Sequence, residues 1–198
     1  MYSDVSWLTV LFALGFLSAG QLNSGMAARA GAGMLAAFLP YVMPAGDLTA
    51  LERLKGLLYE PSIGLVVCSL LPVARVLPKM PITIPAPAQE IRFLVLVLAT
   101  GVALYPMALG LGYLDPYALG YQPWFALVVS VLAALAWWRR GHGLVATWLT
   151  VAVLLHVLQA GESSNLFDYV LDPIVFTVAL VRVIRHLVTR LAGSRATG

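Results

Sequence analysis

Carboxylates are the groups in this chain best able to do chemistry. Glu162, Asp168 and Asp172 fall within one polar stretch, Glu162–Pro173 (ESSNLFDYVLDP), with the amide of Asn165 and the phenol of Tyr169. A helix here would put Glu162, Asn165, Asp168, Tyr169 and Asp172 on one face, within about 120° at 3.6 residues per turn. Leu166, Phe167, Val170 and Leu171 would take the other face. Such a patch of hard oxygen ligands can hold a divalent cation, a proton or a cationic group. Two neighbouring carboxylates can also divide acid and base roles when their surroundings push their pKa values apart. A solvated polar face at a membrane edge has the same composition, and that is the competing reading.

Three acid–proline pairs recur: Glu60-Pro61, Asp115-Pro116 and Asp172-Pro173. Asp172 reads as the cap of a final helix, with Pro173 in the first turn, where a missing N–H costs nothing. Glu60 sits at the positive end of the dipole of a helix that follows it. Asp115 reads as the start of a turn in LGYLDPYALGY. His156 lies in an apolar run, with Gln159 and Ser163 on its helical face. It is either a neutral packing histidine or an intramembrane functional group. The catalytic candidates are therefore Asp168, Glu162, Asp115 and His156. The ligand-binding candidates are Asn165, Tyr169, Asp172 and Glu60.

No metal or cofactor is assigned. The single cysteine, Cys68, excludes an intrachain disulfide and a multi-cysteine zinc or iron–sulfur site. His142 and His186 fall on the side opposite His156, and nothing marks them as haem ligands. Walker, GxSxG, HExxH and dinucleotide-binding patterns are absent.

The elements that must position these residues follow from composition. The chain is 198 residues long, 61% hydrophobic and 11% charged, against about 45–50% and about 25% in soluble domains. The apolar residues gather in blocks of the length that crosses a bilayer, and they do not alternate as barrel strands would. The expected fold is all-α: one polytopic transmembrane bundle over 1–198 with six to seven spans. The spans are Val5–Leu22, Ala30–Pro44, Pro61–Leu77, Ile91–Gly112, Pro123–Trp138, Gly143–Ala160 and Pro173–Thr189. The second holds Pro40 and Pro44, so it is a tilted or re-entrant piece in the six-span version. Asp4, and the lack of a preceding Lys or Arg, make the first block a membrane helix rather than a secretory signal. Residues 48–59 are an interfacial amphipathic helix. Residues 79–90 are a Pro-rich cytoplasmic loop, 161–173 an acidic outer-face segment and 190–198 a basic cytoplasmic tail.

Alternating spans put Arg29, Arg75, Lys79, Arg92, Arg139, Arg140, Arg182, Arg185, Arg190 and Arg195 on one side, and Arg53 and Lys55 on the other. The positive-inside rule makes the first side cytoplasmic, with the amino terminus outside and the carboxyl terminus inside. Every carboxylate except Glu90 then maps outside. Arg75 is expected to snorkel to the inner surface, and the arginines of the last helix to anchor it against anionic lipid.

These features point to a multi-pass protein of a bacterial inner membrane. The first function they support is a non-catalytic accessory subunit of a membrane or envelope complex. It would bind the bilayer, and a partner or second copy through the small-residue pairs Ala27/Gly31 and Gly33/Ala37. The second is an outer-leaflet enzyme acting on a lipid-linked or exported substrate through the carboxylates of 162–172. The third is a small-solute or ion transporter. The basic charge is a topology signal, and no nucleic acid is expected as a partner.

Overall fold

The computed structural model describes residues 2–77, 84–122 and 124–195. In chain order the elements are α1 (Tyr2–Gln21), α2 (Met26–Val42), β1 (Pro44–Ala45), β2 (Leu48–Thr49), α3 (Ala50–Leu58), α4 (Ile63–Val76) and α5 (Pro87–Ala108). A 3-10 helix (Pro116–Tyr121) follows, then α6 (Phe125–Arg139), α7 (Gly143–Val157), α8 (Leu166–Val170) and α9 (Pro173–Arg195). Among the described residues the regular structure is helical apart from one two-residue antiparallel pairing, Pro44 with Thr49 and Ala45 with Leu48.

The helices sit where apolar blocks meet identifiable stops. The expected amphipathic helix is α3. Thr49 and Glu52 form its capping box, each side chain taking the other's backbone N–H. Pro87 opens α5 in the first turn, so the expected loop over 79–90 ends before Glu90, which is helical; Lys79–Thr83 lies outside the described residues. The tail expected from Arg190 onward is helical to Arg195, and 196–198 likewise lies outside them.

By length and composition, α1 and α5 are long and apolar enough to cross a membrane. The other apolar helices are shorter: α2 has 17 residues, α4 14, and α6 and α7 15 each. At 1.5 Å per residue these run about 21–26 Å, against a hydrocarbon core of about 30 Å. The turns shorten them. Trp124 and Arg140 close α6, and Leu158 closes α7 ahead of the acidic segment. The expectation of six to seven spans thus reduces to two helices of spanning length.

The core lies between α4, α5, α7 and α9. Phe93, Val97, Ala152, Val175 and Ala179 are fully buried in it, and Phe93 meets Trp148 edge to face at 5.0 Å. Alongside, α1 packs on α2 by close backbone approach. A Cβ on Gly15 would lie 2.5 Å from the Ala32 carbonyl oxygen, and one on Gly33 would lie 2.7 Å from the Phe12 ring. Gly33 and Ala37 are therefore covered by α1, while Ala27 and Gly31 remain exposed. The outward faces of α6 and α9 are apolar, including Val129, Leu132, Leu135, Ile184 and Leu187.

One end of the bundle is basic. There Glu90 is nearly buried between two guanidinium groups, with Arg75 Nη2 at 2.5 Å and Arg182 Nη1 at 2.6 Å. Arg75 was expected to snorkel and Arg182 to face lipid; both instead turn inward to one shared carboxylate. Two cations on packed helices need a counter-charge once partly desolvated, and Glu90 is the acid at that end. Glu90→Gln is expected to cost about 2 kcal/mol, between the values for exposed and buried pairs because both arginines are over a third exposed. Unfolding of the purified variant in detergent measures this, and an unchanged transition would show that solvent already satisfies the arginines.

Candidate functional site

The opposite end is acidic, and the segment joining α7 to α9 builds it. Asp172 is the tie. One of its carboxylate oxygens accepts from Val175 N–H at 2.8 Å, capping α9 as its position before Pro173 implies. The other accepts from Ser62 N–H at 2.9 Å, 110 residues away. Ser62 in turn caps α4 by accepting from Leu65 N–H. The starts of α4 and α9 are thus bound through one buried carboxylate.

Residues 162–172 do not form the single amphipathic helix that their spacing suggested. Only Leu166–Val170 is helical, because the Asn165 side chain accepts from Phe167 N–H and starts the helix there, while Leu171 is extended. Asn165 is completely buried and also donates to the Tyr117 carbonyl at 3.0 Å. The Tyr169 hydroxyl donates to the Ser163 carbonyl at 3.0 Å and accepts from Gly161 N–H at 3.1 Å. Glu60 accepts from Glu162 N–H at 3.0 Å. The polar groups of this segment mostly point inward and bind its own backbone, so the solvated-face reading fails for Ser163, Asn165, Tyr169 and Asp172, all buried.

Above this framework lies a cavity of about 520 Å³. Glu60, Glu162, Asp168 and Asp172 line it, with Tyr59, Tyr105, Tyr117 and Tyr121, and no Lys or Arg lines it among the described residues. Asp168 accepts from Ser163 Oγ at 2.5 Å and from the Tyr117 hydroxyl. Burial, and next the Asp168 carboxylate itself, push the Tyr117 phenol well above its ordinary pKa. Tyr117 is therefore a fixed donor to Asp168 and never its base at neutral pH. Burial first, then the charges of Asp168, Glu162 and Glu60, likewise raise Tyr59. Tyr59 also holds φ at +60°, an uncommon state for a residue with a bulky side chain. Its carbonyl accepts from Trp7 Nε1 at 3.1 Å, and the Tyr2 hydroxyl donates to the Pro61 carbonyl at 2.8 Å, so α1 braces this wall.

The site residues expected from sequence thus separate into groups. Glu60, Glu162, Asp168 and Asp172 share the cavity. Asn165 and Tyr169 support its floor. Asp115 lies outside the lining and caps the 3-10 helix, accepting from Tyr117 and Ala118 N–H at 3.0 and 3.3 Å. His156 also lies outside it, packed edge-on behind Tyr169 at 5.5 Å, and its Nδ1 has no hydrogen-bond partner among the described residues. Sequence reasoning missed Tyr59, Tyr105 and Ser163. It gave Tyr117 and Tyr121 no role in the site; their place beside the Asp115-Pro116 turn was the available signal.

Chemically, the arrangement is a negatively charged aromatic cup. Both oxygens of Asp168 and of Asp172 are engaged by donors of the protein itself, and no histidine or lysine stands within the lining to exchange a proton. Among the described residues no three carboxylate, histidine or cysteine groups converge as a metal site requires. Compared with family models, with curated proteins and with solved structures, the chain matches none.

Proposed function

We propose that this chain is a multi-pass protein of a bacterial inner membrane and acts as a non-catalytic binding subunit of a membrane or envelope complex, with its acidic cup on the outer face. The observation that carries the binding role is the use of Asp168 and Asp172. Each carboxylate is spent on holding segments distant in sequence, which suits a preformed receptor surface and not an acid–base pair. Of the residues the outer-leaflet enzyme reading draws on, Glu162 and Asp168 share the cavity, while Asp115 and His156 stand outside its lining. The transporter reading needs a polar route through the bundle, and the layer beneath the cup is Phe93, Val97 and Ala152.

The membrane reading is supported by the apolar outward faces of α6 and α9, which a soluble monomer would not leave open. Helices under 30 Å can span by local thinning of the bilayer and by anchors at their ends, such as Trp138 and Arg139. The two ends also differ in sign as the positive-inside rule requires. The exposed pair Ala27/Gly31 offers a close-packing surface to a partner or second copy.

Single cysteines at Tyr113 and Arg140, introduced in a C68S background, test the topology. An impermeant maleimide is expected to label Tyr113→Cys in intact cells and Arg140→Cys only after permeabilisation; equal labelling of both would sink the multi-pass reading. Native mass spectrometry of the gently extracted chain tests the role. A stoichiometric protein partner retained by Asp168→Asn is expected. A solitary chain whose cellular function is abolished by Asp168→Asn while it stays folded and inserted would establish the enzyme instead.

A further inference from the structure

We propose that the basic end of the bundle holds one anionic phospholipid, with its phosphate on Arg92 and His142 and one acyl chain in the cleft between α5 and α6. The inference rests on the membrane reading above, which makes this end cytoplasmic and opens the cleft on the inner leaflet.

The cleft follows from the packing order. α5 and α6 each lie against α7, and the space left between them is about 220 Å³. Trp148 and Leu149 of α7 form its floor, and Leu96 of α5 faces Val129, Ala133 and Trp137 of α6 across it. Val129 is 50% exposed, so the cleft is open along α6. From Val129 to Trp137 it runs about 12 Å at 1.5 Å per residue, within one leaflet of a hydrocarbon core about 30 Å thick.

Printed contacts join this apolar cleft to a polar mouth. α5 presents Gln89, Arg92, Leu96 and Thr100 along one face, at helical spacings of three and four. Leu96 and Thr100 line the cleft. The two residues before them cross to the turn between α6 and α7. Gln89 Nε2 donates to the Gly141 carbonyl at 3.4 Å, and Arg92 Nη1 lies 3.2 Å from both ring nitrogens of His142. The His142 ring is in turn 5.1 Å from that of Trp137, a wall of the cleft. Headgroup and chain positions are therefore contiguous.

Charge selects the occupant. Arg92 is exposed and meets no carboxylate among the described residues. Glu90, two positions before it, is already shared by Arg75 and Arg182. Arg139 and Arg140, both exposed, close α6 beside the same turn. With one imidazole nitrogen accepting from Arg92, the other nitrogen and the rest of the guanidinium fork remain donors. A phosphate group supplies acceptors for both, and the fork matches its geometry. The negative surface of a cytoplasmic leaflet delivers such lipids to basic groups near it. A phosphatidylcholine would bring a cationic choline among three arginines, and a free phosphate would make no use of the cleft.

The full chain, purified in a neutral detergent, is titrated with dioleoylphosphatidylglycerol or dioleoylphosphatidylcholine, and native mass spectrometry counts the lipids retained. One phosphatidylglycerol is expected to bind about ten-fold more tightly than phosphatidylcholine. Arg92→Gln should remove that preference. Arg190→Gln, which deletes an equal charge about 12 Å beyond Arg182 along α9, should leave it. Equal losses in the two variants would mean diffuse attraction to a basic surface and would overturn the site. Dihexanoylphosphatidylglycerol keeps the headgroup and should bind about ten-fold more weakly, since its tails bury little of the cleft. Ala133→Leu narrows the cleft and should weaken the dioleoyl lipid; unfolding curves show whether each variant is intact. Short-chain lipid binding at equal strength would overturn the role of the cleft. p-Benzoylphenylalanine in place of Val129, irradiated in intact cells, should give no protein adduct, and an adduct would assign the cleft to a protein partner or a second copy instead. Flotation with phosphatidylcholine vesicles separates the two ways of failing. A chain that floats but shows no preference for phosphatidylglycerol overturns this site alone, whereas a chain that does not float overturns the membrane reading itself.

Discussion

Asp172→Ala is expected to destabilise the protein by about 3 kcal/mol, with the loss concentrated where α4 and α9 begin. Asp172 is 6% exposed, and its carboxylate accepts from two backbone donors, Ser62 N–H and Val175 N–H. Alanine leaves both donors buried and unpaired, at roughly 1–3 kcal/mol each, partly relieved if water enters. Asp172→Asn retains one good acceptor and should lose roughly half as much. Unfolding of wild type and both variants in the same detergent orders them. Hydrogen exchange should then show Ser62 and Val175 opening in Asp172→Ala while the amides of α5 stay protected. Equal stability of all three proteins would show that water already replaces the carboxylate, and the tie between the two helix starts would lose its energetic meaning.

That tie marks the boundary between what the residues disclose locally and what they do not. The cap of α9 is legible, since Asp-Pro before an apolar run puts an acceptor beside N–H groups that have no helical partner. Its second bond, to a residue 110 positions earlier, leaves no local trace. The same holds at the basic end. Arg75, Glu90 and Arg182 each sit at the margin of an apolar block, where snorkelling is the default for a lone arginine. Only the packing of α4, α5 and α9 around one carboxylate makes an inward turn favourable. Helix existence was legible throughout because apolar blocks bounded by Gly, Pro and charged residues permit little else. Helix length was less so: apolar residues continue past Ala108 and Val157, but the backbone turns away there, so composition overstates the spans.

The acidic segment failed as a periodic pattern for a related reason. Glu162, Asn165, Asp168, Tyr169 and Asp172 do repeat at helical spacing, but Asn165 competes with the helix by bonding its own backbone two residues on. The residues still gather, held by side chain to backbone bonds in place of helical periodicity. The tyrosines carried no site signal in the sequence because a row of interfacial tyrosines and an aromatic cup have the same composition; the hydroxyl of Tyr117 on Asp168 distinguishes them.

Gly120→Ala tests whether that gathering is as tight as it looks, and it is expected to cost about 3 kcal/mol. Gly120 is buried in the 3-10 helix and its φ is negative, so alanine meets no backbone strain there. The obstacle is space. A Cβ would lie 2.7 Å from Asn165 Cγ and 2.7 Å from Phe167 Cδ2, with the Asn165 carboxamide oxygen nearer still. Asn165 cannot retreat without losing its bonds to Phe167 N–H and the Tyr117 carbonyl. Phe167 can yield only by giving up its packing against the Tyr117 ring, 6.3 Å away. The cost should therefore couple to Asn165. In a double-mutant cycle, Asn165→Ser keeps a short capping oxygen and frees volume, so Gly120→Ala should cost about 1–2 kcal/mol less in that background. Additive losses would mean that the 3-10 helix moves away as a unit and that Asn165 is not the element it rests on. A coupled loss, with Tyr117 released from Asp168, would show that one hydrogen atom at Gly120 sets the distance between the tyrosine wall and the acidic wall of the cup.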